Sequence, residues 1–164
     1  MALLAAILLC LQVALAPLPN IEVVSLLIVL YTLSFQWKAL LIIYAFVLME
    51  GLIYGFGLWF LNYLYVWTVL WGITMLLRHM RGTVGWIILL ASYGLGFGFL
   101  CSLIYPFIGG FGLMVSYWIS GIPFDLLHCA GNAAVAAVLF APLRRLFQRL
   151  LRGMNLPAPN PEET

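Results

Sequence analysis

Charge is what this sequence has least of. Only 7% of its 164 residues are charged, with seven Lys and Arg and five Asp and Glu. Soluble domains carry about 25% charged residues. The scarcity excludes a nucleic-acid partner, because no basic surface large enough to neutralise phosphates exists. There are only three cysteines, Cys10, Cys101 and Cys129. Their odd number and lack of metal-ligand spacing exclude a disulfide scaffold and leave no expected metal site. They read as small packing residues in apolar segments. No Gly-Lys-Ser/Thr loop is present to cradle a phosphate. No cofactor is expected, and no internal repeat is found.

What is present is apolar surface. Two-thirds of the side chains (66%) are hydrophobic. A chain this short has too much surface for its volume to hide them from water. The expectation is therefore an all-α integral membrane protein, which excludes a soluble enzyme.

A spanning helix needs about 20 apolar residues, so six spans would use about 120. Breakers and charges place helices near 2–16, 22–35, 37–57, 60–79, 83–105 and 123–148. Pro17-Leu18-Pro19-Asn20 separates the first two, which are short enough to imply tilt or local thinning. Gly55 and Gly57 end the third, and Arg81-Gly82 precedes the fifth. The glycine-rich stretch 106–122 is expected as a partial helix or a lid. Residues 1–152 form one membrane domain, and 153–164 a short disordered cytoplasmic tail. Ala14-Leu15-Ala16 has the form of a signal-peptidase site. However, residues 1–9 carry no positive charge and Pro17 would follow the cut, so the first helix is read as retained.

Basic residues collect in short cytoplasmic loops. With the N-terminus inside, Lys38 falls in the first inner loop and Arg78 and Arg81 in the second. Arg144, Arg145, Arg149 and Arg152 fall at the C-terminus, and the outer connections carry no basic residue. The reading is six spans in the plasma membrane with both ends cytoplasmic. The basic end of the sixth helix also suits anionic lipid headgroups.

Ionisable groups at membrane depth are functional candidates by default. Glu50 lies in the third helix, with Tyr54 one turn on. Lys38 is about 18 Å away along that helix, too far to pair with it. Glu50 reads either as a ligand or ion contact or as a structural hydrogen bond to another helix. In the sixth helix Asp125, His128 and Asn132 fall within about 60° of one another and share one stripe. Such a stripe faces protein, water or ligand rather than lipid. Pro123 suits a first helical position, with Ser120 or Gly121 as cap, and Asp125 would then favour the first turn. Asn20 and Glu22 lie on the same outer side, as do Trp59, Asn62, Tyr63, Tyr65 and Trp67. These aromatics serve as interfacial anchors or stack on a flat organic ligand. Small residues mark close helix approach. They include Ala2, Ala6, Cys10 and Ala14 on the first helix, Gly94, Gly96 and Gly98 on the fifth, and Ala133, Ala134, Ala136 and Ala137 on the sixth. Packing within the monomer and docking on a second membrane protein both remain open for them.

Gly121-Ile122-Pro123-Phe124-Asp125-Leu126-Leu127-His128-Cys129-Ala130-Gly131-Asn132, followed by Pro142-Leu143 and arginines, resembles the last helix of S components of energy-coupling factor (ECF) vitamin transporters. Chain length, six helices and Ala2-xxx-Ala6 add to the likeness. The resemblance implies a binding subunit for a vitamin or related micronutrient, captured on the outer side. It further implies docking, through Ala2 and Ala6, on a transmembrane T subunit carried by two ATPases. Asp125, His128 and Asn132 are the family-like pocket positions. Glu22, Glu50, Tyr54 and Asn62 join them on depth and polarity alone.

The expected function is thus a non-enzymatic substrate-binding membrane subunit of an ATP-driven importer, its motor on other chains. Two readings stand beside it. One is a self-contained secondary carrier using Glu50 as a proton site. The other is an intramembrane enzyme using Asp125 and His128 as acid and base.

Overall fold

The computed structural model describes residues 1–18 and 21–153. Among them are six α-helical elements, one short 3-10 turn and no strand. They are α1 (Ala2–Leu15), α2 (Val24–Phe35), the turn Gln36–Lys38, α3 (Ala39–Tyr54), α4 (Leu58–Leu76), α5 (Thr83–Ser102) and α6 (Pro106–Gly153). Helix is what an apolar chain must adopt where no water can satisfy its backbone. Asn20 and residues 154–164, which make up nearly all of the expected tail, lie outside the described residues.

Four stretches are long and apolar enough to cross a membrane: Val24–Tyr54 taken as one run, α4, α5 and α6. The chain is a membrane protein by the length and composition of its helices. Four such stretches stand where six spans were expected. The difference lies in α1, α2 and α3, of 14, 12 and 16 residues, each below the usual length of a span.

The Val24–Tyr54 run is nonetheless not one straight rod. Glu22, just before α2, and Glu50, late in α3, line cavities that share Gln12, Ala16 and Tyr63. A straight helix would hold the two glutamates about 40 Å apart. The chain therefore reverses at Gln36–Lys38, where Gln36 takes φ 50°, ψ −120°. Trp71 closes this reversal from α4: its Nε1 donates to the Gln36 carbonyl at 3.1 Å, and its ring lies 4.7 Å from Trp37.

α2 is the central rod, with every residue from Val24 to Thr32 buried. Tyr31 meets Phe147 of α6 at 5.5 Å between ring centroids, and Trp86 of α5 stacks on Phe140 of α6 at 5.8 Å. These contacts gather the ends of α2, α4 and α6 with the start of α5. Lys38, Arg78, Arg81 and Arg144 to Arg152 belong to that end of the bundle.

α6 differs from expectation at both ends. Its backbone is non-helical only at Gly109 and Gly110, and from Phe111 it runs unbroken to Gly153. Pro123 and Pro142 both lie inside it. Pro123 therefore does not open the helix, Ser120 and Gly121 do not cap it, and Asp125 is not in its first turn. Residues 106–122, expected as a partial helix or a lid, are helical apart from Gly109 and Gly110 and form its mostly exposed first third. The reason is that transmembrane helices accept an internal proline, which then carries no stop signal.

α5 and α6 pack closest. A Cβ on Gly94 would lie 2.8 Å from the His128 carbonyl carbon and oxygen, and one on Gly98 would lie 2.5 Å from the Asp125 carboxylate. Two small residues four apart thus let one helix backbone rest on the other. For this pair of glycines the packing partner is within the chain.

Candidate ligand-binding chamber

Two adjoining cavities open at the end of the bundle opposite the arginines. The first, of about 280 Å³, is lined by Gln12, Leu15, Ala16, Leu18, Ile21, Glu22, Tyr63, Trp67, Phe97 and His128. The second, of about 230 Å³, is lined by Gln12, Ala16, Glu50, Tyr54, Trp59 and Tyr63. Sharing three residues, they form two lobes of one chamber. Its walls come from the last turn of α1, the segment leading into α2, the end of α3, the start of α4, α5 and α6.

Each polar group is placed by its helix. Gly55 (φ 85°) follows Tyr54 and ends α3, which leaves Glu50 one turn from the helix end and Tyr54 at the rim. Glu22 precedes α2, and its Oε2 accepts the Ser25 N–H at 2.8 Å, satisfying a donor of the first turn. Its Oε1 lies 3.2 Å from His128 Nε2 and ties the start of α2 to α6. The Phe97 ring meets the His128 ring at 4.9 Å and holds it edge to face. Trp59, Tyr63 and Trp67 form a run of edge-to-face contacts along α4, at 5.5 and 5.4 Å.

Two chamber groups are left without a partner. Glu50 is only 2% exposed, and its Oε2 is buried with no hydrogen bond. Trp67 is equally covered, and its Nε1–H has no acceptor. One demands a donor or cation and the other an acceptor, in neighbouring lobes. Buried polar atoms are nearly always satisfied, so each such orphan calls for an explanation.

The sequence-expected site residues divide into two sets. Glu22, Glu50, Tyr54 and His128 come together on the chamber walls. Asn62, Asp125 and Asn132 line neither lobe and bond between or within helices, although Asp125 Oδ2 is buried without a partner. Asp125 Oδ1 accepts the Gly98 N–H at 2.8 Å, and Asn132 Nδ2 donates to the Leu90 carbonyl at 3.2 Å. Asn62 Oδ1 accepts from Tyr65 at 3.2 Å, whose hydroxyl also lies 2.6 Å from the Leu100 carbonyl of α5. Tyr93 donates to the Val66 carbonyl at 2.9 Å, a second tie between α4 and α5. Such bonds each contribute on the order of 1 kcal/mol to helix association. Asp125 and His128, paired in the enzymatic reading, are each engaged elsewhere, by Gly98 and by Glu22.

Gln12 and Phe97 also line the chamber and were not expected there. Gln12 is the one amide in an otherwise apolar α1, and that isolation was a usable signal. Phe97 carried none, being one apolar residue among many.

A larger apolar groove, about 560 Å³, runs between α4 and α5 and is lined by residues such as Ile73, Leu77, Ile88 and Phe99. Its lining lacks the chamber's carboxylates. Ala2 and Cys10 are exposed on α1 and Ala6 is half-buried, while Ala5 and Leu8 face the core.

Comparison with known proteins finds no family model that matches the chain, and no curated protein or solved structure that matches it.

Proposed function

We propose that this chain is the substrate-binding membrane subunit of an ATP-driven micronutrient importer, acting as an S component of the energy-coupling factor kind. The observation that carries the reading is the two-lobed chamber, with the Glu50 carboxyl and the Trp67 indole N–H buried in its walls and unpartnered. A site that leaves an acceptor and a donor unmet, between aromatic faces, is built for a small organic ligand that meets both. Glu22, Glu50, Tyr54 and His128 contact that ligand. Asn62, Asp125 and Asn132 hold α4, α5 and α6 in the register that shapes the walls.

The topology belongs to the same proposal. All the basic residues sit at the end away from the chamber, so the positive-inside rule puts the arginines in the cytoplasm and the chamber mouth outside. The chain then crosses the plasma membrane six times, its short helices tilted or matched by local thinning. The small residues Ala2, Ala6 and Cys10, on the outward side of α1, supply a surface for close approach of a transmembrane T subunit. Two ATPase subunits supply the energy, since the sequence has no nucleotide loop of its own.

The unpartnered Glu50 also suits a proton site, which favours the self-contained carrier as the second reading. One pair of experiments separates them. Tagged full-length chain from native membranes is expected to bring down a transmembrane coupling subunit and two ATPases. Purified chain that accumulates solute unaided in sealed vesicles would contradict the subunit reading and leave the carrier.

A further inference from the structure

We infer that the ligand of the chamber is an organic cation with a flat or partly apolar body. The inference rests on the reading above that the chamber holds a ligand, and it names the class. Among the described residues, the lining of the two lobes includes two carboxylates and neither Lys nor Arg. Glu22 is already engaged, by the Ser25 N–H and by His128. Glu50 is not: its Oε2 is buried and unbonded. An acidic group at that depth is costly unless it keeps its proton or meets a positive charge. The one basic side chain among the lining residues, His128, lies against Glu22 in the other lobe, so the charge that meets Glu50 is left to the ligand.

The walls add a second argument. Trp59, Tyr63 and Trp67 all line this space, packed edge to face on one another. Ring faces are negative in their quadrupole and attract a cation held over them within about 6 Å. An anion would meet two carboxylates and repelling ring faces. A neutral molecule would supply no counter-charge and leave Glu50 to keep its proton. Rings and carboxylate together thus select the sign of the charge and accept an apolar body beside it.

The test uses three benzyl compounds of nearly equal size: benzyltrimethylammonium, neutral N-benzylacetamide and phenylmethanesulfonate. Each is titrated into purified full-length chain while tryptophan fluorescence is read, with Trp67→Phe and Trp59→Phe assigning the signal to the chamber. The cation is expected to quench saturably at millimolar concentration or below, and the other two far more weakly. Glu50→Gln is expected to weaken the cation by about tenfold or more and to lower the weak response to N-benzylacetamide far less, if at all. Because a fold defect would move both responses, that contrast isolates charge from structure. Glu22→Gln, tested alongside, provides a second variant at the other lobe, with a smaller loss expected. If the neutral or anionic compound binds as tightly as the cation, the charge class is wrong and the chamber reading survives. If none of the three quenches saturably through Trp59 or Trp67, the chamber reading falls with it.

Discussion

Glu50 shows what a single residue can reveal in a chain of this kind. One carboxyl in an apolar stretch drew attention by type and depth alone. The structure adds the part the sequence could not hold: which atom lacks a partner and which rings stand near it. Asp125, equally conspicuous in sequence, accepts the Gly98 N–H through Oδ1 at an interface between helices rather than at the chamber, while its Oδ2, like Glu50 Oε2, is buried without a partner. Its role depends on a glycine 27 positions away, and no local pattern encodes that. The same interface gives a sharp contrast between two glycines. A Cβ at Gly94 meets rigid backbone at 2.8 Å, whereas one at Gly96 meets nothing within 4 Å. Gly94→Ala is expected to destabilise by about 1–3 kcal/mol through overpacking. Gly96→Ala should be neutral or slightly stabilising, since alanine suits a helix interior better. Thermal unfolding of both variants in detergent checks this, and equal melting temperatures would sink the close-packing account.

At the scale of the element, most boundaries were readable because proline and glycine punctuate them. The proline-rich stretch after α1, Gly55 after α3 and Gly82 before α5 all mark real ends. α6 was misplaced because Pro123 looks like a helix start, and a membrane helix can carry it inside. The reversal between α2 and α3 was placed correctly near residue 36, but its geometry was not legible. Gln36 at φ 50°, ψ −120° takes a positive φ that L side chains rarely adopt, a conformation suited to glycine. A non-glycine residue there costs roughly 1 kcal/mol. Gln36→Gly is therefore expected to raise stability by up to about that amount, and the β-branched Gln36→Val to lower it. Thermal melts of the two variants should move in opposite directions. A loss of stability in Gln36→Gly would show that the turn is not strained as described.

For the whole molecule, the sequence already separated the two ends. Its basic residues cluster in three places along the chain, and the fold brings those places to one end. The polar and aromatic residues collect at the other, around a chamber assembled from five of the helices and the segment between α1 and α2. That convergence was the least legible feature, because no two adjacent elements build the chamber alone and the missed Gln12 and Phe97 belong to distant helices. Native mass spectrometry of the chain purified gently from its own membranes tests it most directly. The wild-type chain should carry a bound small molecule, distinct in mass from lipid, that Glu50→Gln and Trp67→Phe both lose while remaining folded. An adduct kept unchanged by both variants, or a wild-type chain that retains lipid alone, would contradict the account.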